Sequence, residues 1–194
     1  MDWTAAAGFF GVVACWIAFA AVFQFRKKPP KETETKREPA SYWGIAVQSV
    51  GLGCVWLFPR PYFSSILPMP KDAEIVVSAA AVAIAVASVW LCGAASRTLG
   101  KQWAYGARVI EGHELITQGP YAHVRNPIYL GMFGMIVATG LVMGRWWMAI
   151  IGAGIFLAGT AIRIRMEEKL LRETFRGAFE DYASRVPAFF PRLF

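Results

Sequence analysis

Charge is scarce in this sequence. Only 17% of its 194 residues are Asp, Glu, Lys or Arg, against 56% apolar residues, whereas a soluble domain carries about a quarter charged residues. Cysteine is scarce too. Cys15, Cys54 and Cys92 are odd in number and form no CxxC pair or metal-ligand spacing, which argues against a disulfide framework or a structural zinc site. All three lie in apolar runs and are read as small packing residues. Histidine occurs twice, as His113 and His123. No dinucleotide fingerprint, P-loop or metal-helix motif is present, so hydride transfer on a Rossmann domain and metal-assisted hydrolysis are poorly supported. A Ser/His/Asp arrangement lacks its nucleophile elbow. Internal repeats and low-complexity arrays are absent, and the composition argues against a disordered or collagenous chain.

The charges that exist are gathered into a few places. Five stretches, 3–25, 42–58, 75–96, 127–144 and 146–162, contain none at all and run 23, 17, 22, 18 and 17 residues. A spanning helix needs roughly 17–25 apolar residues, and soluble core helices rarely exclude charge from every face. The expected fold is therefore all-α, a polytopic membrane protein of about five transmembrane helices with a cytosolic C-terminal interfacial helix. Only Gly144-Arg145-Trp146 separates the last two stretches, so they form a tight hairpin that either spans fully or re-enters partway. The first stretch is not expected to be a signal peptide, because no basic residue precedes it and its apolar run is too long.

The +7 net charge has a sidedness. Segments 26–41, 97–126 and 163–194 hold 17 of the 20 Lys and Arg residues. By the positive-inside rule the N-terminus lies outside and the C-terminus in the cytosol. That places the protein in the cytoplasmic membrane of a prokaryote or the endoplasmic reticulum of a eukaryote. The basic balance needs no nucleic acid to explain it.

Residues 1–96 read as a three-helix scaffold, with small residues such as Gly44 and Gly51 allowing close helix approach and no evident reaction site. Within it, the mixed-charge, Pro-punctuated loop 26–41 is expected to be too polar to bury and mobile. The four prolines and the aromatics of 59–72 predict an ordered connection on the membrane surface. Residues 97–194 carry the polar and titratable groups. Beyond Ile162 a helix is expected to continue, with Leu171, Phe175, Phe179, Tyr182 and Val186 on one stripe until Pro187 stops it. The closing apolar residues, Leu193 and Phe194 among them, are expected to lie back on the membrane. The tail is either an interfacial helix or a lid over a site.

Chemistry concentrates in HELITQGPYAHVRNPIY, residues 113–129. Gly119-Pro120 predicts a turn, and Asn126-Pro127 predicts a helix N-cap followed by proline at the first helical position. The helix starting there presents N–H groups and a positive dipole end at the cytosolic face. That end can receive a carboxylate or phosphate, and Arg125 adds a fixed charge. The plainer alternative is a capped membrane helix beside an interfacial arginine. In RIRMEEKLL, residues 163–171, the pairs Arg163/Glu167 and Glu168/Arg172 share helix faces at i,i+4. Such pairs commonly serve only solubility. Arg163, however, is the first charge after an apolar run, at a depth where ionic side chains are costly and tend to be functional.

The run His113…Gly119-Pro120-Tyr121…Arg125-Asn126-Pro127-Ile128-Tyr129-Leu130-Gly131 resembles the cosubstrate signature of isoprenylcysteine carboxyl methyltransferases, integral membrane S-adenosylmethionine-dependent enzymes. Arg163-x-x-x-Glu167-Glu168-x-x-Leu171 and Tyr182-x-x-x-Val186-Pro187-x-x-x-Pro191 are similar to the C-terminal block of that family, so the resemblance covers about residues 97–194. Two positions depart from its pattern. Asn126 stands where histidine is common, and Phe179 where tyrosine is expected. Asparagine at the cap preserves the geometry of a helix start.

The resemblance implies methyl transfer from S-adenosylmethionine to the C-terminal carboxylate of a prenylated cysteine drawn from the bilayer, with no metal. It implies that His113, Glu114, Leu115, Ile116, Tyr121, Asn126, Pro127, Ile128, Tyr129 and Glu167 cradle the cosubstrate. It implies Arg163 and Glu167 as the catalytic pair, Arg163 binding the acceptor carboxylate. A carboxylate is ionised near neutral pH and needs no general base. The enzyme has to align the reacting atoms and strip water from the nucleophile. Glu167 either steadies Arg163 or contacts the cationic cosubstrate. The rivals are a phospholipid amine or small thiol as acceptor on the same scaffold, a sterol reductase (usually a much longer chain), and a transporter or assembly factor. The last is weakened by the lack of ionisable residues inside the apolar stretches.

Overall fold

The computed structural model describes residues 3–24 and 34–191. Six α-helices account for most of them: α1 Trp3–Gln24, α2 Ser41–Leu57, α3 Lys71–Leu99, α4 Pro127–Val142, α5 Trp146–Phe175 and α6 Gly177–Arg185. The other regular elements are two 3-10 turns and a two-stranded antiparallel ribbon of β1 Glu34–Arg37 and β2 Arg108–Ile110, with Glu34 opposite Ile110 and Arg37 opposite Arg108. Helices α1, α3 and α5 are long and apolar enough to cross a membrane. Helices α2 and α4 have 17 and 16 residues, or about 25 Å at 1.5 Å per residue, short of a ~30 Å hydrocarbon core.

Helix α4 is the shared wall of the bundle. One side packs with α1 and α3 through Val12, Cys15, Ala81, Ala85, Met135 and Ala138. The other meets α2 and α5 through Val55, Ile136 and Phe156. A helix covered on both sides must be apolar all round, which is why its run carries no charge. The Trp16 indole donates to Thr139 Oγ1 at 2.9 Å, tying α1 to α4. At the α4–α5 turn, Arg60 donates to the carbonyls of Leu141 (2.9 Å) and Gly144 (2.8 Å). It thereby satisfies acceptors left open at the end of α4, and the connection 59–72 is ordered as expected.

The α2–α5 contact is set by glycine. A Cβ at Gly51 would lie 2.6 Å from both Gly152 O and Phe156 N, backbone atoms that cannot rotate away. Gly51→Ala should therefore push the two helices apart and cost about 1–3 kcal/mol. Gly53→Ala, which would meet only Leu57 Cδ1 at 3.8 Å, is the neutral control. Melting temperatures of both variants in one detergent check this.

Three expectations change. The loop 26–41 is not wholly mobile, because 34–37 form β1. The ribbon is strapped to α5 by Lys36–Glu173 and Lys169–Glu38, both at 3.1 Å; the loop's residues 26–33 lie outside the described residues, as do Leu193 and Phe194. The tail is not one continuous helix. Arg176 takes φ +48°, the backbone turns, and α6 starts anew at Gly177. The apolar stripe survives that break, since Phe179, Tyr182 and Val186 pack with Leu171, Phe175 and Leu115. Finally, Asn126 occupies the N-cap position of α4 without capping it. Its Nδ2 donates instead to Ala188 O at 2.8 Å, because the returning tail supplies a part-buried acceptor.

Candidate active site

A cavity of about 510 Å³ opens where α1, the 99–116 segment, the start of α4, the polar end of α5 and α6 converge. Its size suits a drug-sized ligand. Of the residues expected in a site, His113, Glu114, Leu115, Ile116, Tyr121, Asn126, Ile128, Tyr129, Arg163 and Glu167 all line it. Pro127 does not. It is fully buried as the first residue of α4, where its missing N–H costs nothing and its fixed φ starts the helix.

The charged centre is built from three side chains. Arg163, 7% exposed, stacks its guanidinium 4.7 Å above the Tyr129 ring. It donates from Nη1 to Gln48 Oε1 at 3.1 Å and from Nη2 to the carbonyl of Tyr105. Glu167 Oε1 lies 3.6 Å from Nη2 and accepts the Tyr129 hydroxyl hydrogen bond. Arg163 Nε is buried and has no hydrogen-bond partner among the described residues. A buried charged group with an unclaimed N–H is costly, and Arg163 is one of the residues lining the cavity.

Arg125 lines the cavity beside the helix start, as expected, but its donors are taken up by Glu168 and the tail. Its Nε and Nη2 lie 2.9 and 2.8 Å from Glu168 Oε1. Its Nη1 donates to Ala183 O at 3.0 Å and to Val186 O, and its amide N–H donates to Pro187 O at 2.9 Å. Arg125 is thus a strap binding α5 and the tail to the start of α4. Tyr182 adds to it by donating to Tyr121 O at 2.7 Å. Burial, reinforced by Glu168 and opposed by Arg125, pushes the Tyr182 phenol up to about 12, so it keeps its proton for that bond at any physiological pH. The expected Arg163/Glu167 and Glu168/Arg172 pairs both form.

Sequence reasoning did not place any residue of the N-terminal half at the cavity. Trp16, Phe19 and Phe23 of α1 line the cavity. They continue a chain of ring contacts through Trp103 to Tyr105, with centroids 4.7–5.3 Å apart. The i, i+3, i+7 spacing of the α1 aromatics was available as a signal, but in a wholly apolar helix it does not stand out. Gln48 of α2 sits behind Arg163. Val109 of β2 and Ala107 just before the strand anchor the 99–110 segment on α5 by packing against Leu170.

The donor set fits an S-adenosylmethionine-sized cosubstrate. The first turn of α4 has no side-chain cap and faces the cavity through Ile128 and Tyr129, which suits a carboxylate. Leu115 and Tyr121 supply apolar surface, and Glu114 N is fixed by Gln102 Oε1 at 2.7 Å. Among the described residues, no group of three or more His, Cys, Asp or Glu could hold a metal ion.

Residues 76–178 match the phospholipid methyltransferase family. The chain is 38% identical over 115 residues to the nickel-cobalt-cadmium resistance protein NccN of Alcaligenes xylosoxydans xylosoxydans, covering 58% of this chain and 53% of that protein. It is 33% identical over 107 residues to the cobalt-zinc-cadmium resistance protein CzcN of Cupriavidus metallidurans, covering 53% and 48%. It is 31% identical over 81 residues to the protein-S-isoprenylcysteine O-methyltransferase of Schizosaccharomyces pombe, covering 42% and 34%. The chain therefore spans about half or less of the length of the curated relatives it matches.

Proposed function

The chain belongs to the phospholipid methyltransferase family, and on that premise we propose that it is a membrane enzyme of the protein-S-isoprenylcysteine O-methyltransferase type. It methylates the C-terminal carboxylate of a prenylated cysteine. The observation that carries this reading is the Arg163 guanidinium, buried in the cavity wall with its Nε–H unclaimed, between an aromatic wall and the 113–129 segment. S-adenosylmethionine, when bound, supplies an electrophilic methyl group.

The protein's own residues do the rest. His113, Glu114, Leu115, Ile116, Tyr121, Asn126, Ile128 and Tyr129 enclose the cosubstrate, and Pro127 starts the helix whose N–H groups face it. Arg163 holds one carboxylate oxygen and leaves the other free. Tyr129 and Glu167 keep the guanidinium in place, and Glu167 also offers negative charge to a cationic cosubstrate. The aromatic path from Trp16 to Tyr105 excludes water from the nucleophile and offers a hydrocarbon chain an apolar route from the bilayer. Residues 97–194 carry the reaction, with Gln48 and the α1 wall completing the site.

We further propose that α2 and α4 cross with the other three helices, since both pack along α5 or α3 in one bundle and local thinning tolerates a short span. The site then opens to the cytosol and the N-terminus lies outside. A phospholipid amine is the second acceptor to consider, because the family match favours it and Glu167 could take the proton an ammonium must lose. His123 is not among the cavity-lining residues.

The test is purified protein given methyl-labelled S-adenosylmethionine with, separately, a prenylcysteine, phosphatidylethanolamine and a small thiol. Label in a base-labile ester of the prenylcysteine is the expected result. Label only in the lipid amine or the thiol would overturn it.

A further inference from the structure

We propose that Gln48, on α2 and outside the cavity, is the positioning residue that presents Arg163 to an anionic acceptor. The inference rests on the reading of Arg163 as the acceptor-binding group. Gln48 is 4% exposed and does not line the cavity. Its Oε1 accepts from Arg163 Nη1 at 3.1 Å, while its Nε2 donates to Thr160 Oγ1 at 2.8 Å. The guanidinium can only donate, so the amide oxygen must face it, and the NH₂ is left to donate to the Thr160 hydroxyl.

The Tyr105 carbonyl holds Nη2 and the Tyr129 ring covers one face. These three contacts leave the guanidinium little freedom to rotate, and its Nε–H stays without a partner among the described residues. The reach of Gln48 depends on the helix crossing. A Cβ at Gly159 would lie 2.7 Å from Gln48 N and from Gly44 O, and one at Gly44 2.4 Å from Arg163 Cγ. Two glycines facing each other bring the α2 backbone close enough for so short a side chain to touch Arg163.

Without Gln48, Arg163 keeps its charge but loses the contact that sets its orientation. Acceptor binding should then suffer far more than cosubstrate binding. Gln48→Met, of similar volume with no acceptor oxygen, should raise KM for a prenylcysteine about ten- to hundred-fold. S-adenosylhomocysteine affinity should stay within about twofold. Gln48→Glu keeps an oxygen facing Nη1 and should recover most of the loss. Thr160→Val, which removes the second tether on the amide, should lie between them and guards against a folding defect in the first variant.

A binding arm separates the two possible failures. Palmitate, an anionic lipid of a different kind, is titrated against tryptophan fluorescence without methyl donor. If the unsubstituted chain fails to methylate prenylcysteine but binds palmitate, and Gln48→Met weakens that binding, the carboxyl methyltransferase reading falls and the role of Gln48 stands. Unchanged KM and unchanged palmitate affinity in Gln48→Met, or equal loss in Gln48→Met and Gln48→Glu, would overturn the role of Gln48.

Discussion

Arg163→Ala should lower kcat/KM for a carboxylate acceptor by roughly three orders of magnitude, the scale of losing a buried charge-assisted contact at about 2–5 kcal/mol. The loss should exceed that of any other single substitution in the cavity. Arg163 makes four kinds of contact at once: an amide oxygen, a backbone carbonyl, a carboxylate and an aromatic face. A lysine offers one compact charge and no planar fork. Arg163→Lys should therefore recover little. S-adenosylhomocysteine binding by calorimetry serves as the control for folding. Near-normal turnover with intact cosubstrate binding would remove Arg163 from the reaction.

The second large effect is expected at the strap. Glu168→Leu leaves Arg125 charged and buried with only carbonyl partners, and removing one member of a buried pair costs about 3–5 kcal/mol. The consequence should be local as well as global. Arg125 and Asn126 together hold Ala183, Val186, Pro187 and Ala188 against the start of α4. With the pair broken, the tail should become cleavable by added protease near 186–191, and cosubstrate affinity should fall by at least tenfold. The double variant Arg125→Met, Glu168→Leu leaves no lone charge and should regain most of the melting temperature. It should not regain the protease resistance, because the tail's carbonyl partners are still missing. A double-mutant cycle measures the coupling directly.

The same two arginines mark how far the sequence could be read. Both were legible as unusual, one beside a predicted helix start and one at the end of an apolar run. Their roles were not equally legible. Arg163 and Glu167 are one helical turn apart, so their pairing follows from local geometry. The partner of Arg125 is 43 residues away in Glu168, and its other acceptors lie in the tail. Nothing local distinguishes a strap from an anion site. The reading of 1–96 as a scaffold did not include its contacts with the site for a related reason. Gln48 and Arg163 are separated by 115 positions, and a single glutamine in an apolar run carries no periodic signal.

Scarce, clustered charge settled by itself that the chain is helical and membrane-embedded, because a bilayer excludes charge and demands internally satisfied backbone. Which residue meets which was left to tertiary structure. Close glycine contacts, the uncapped start of α4 and the turn at Arg176 decide which way each polar group faces. The buried donors and acceptors they bring together had to be matched across the bundle rather than along the chain.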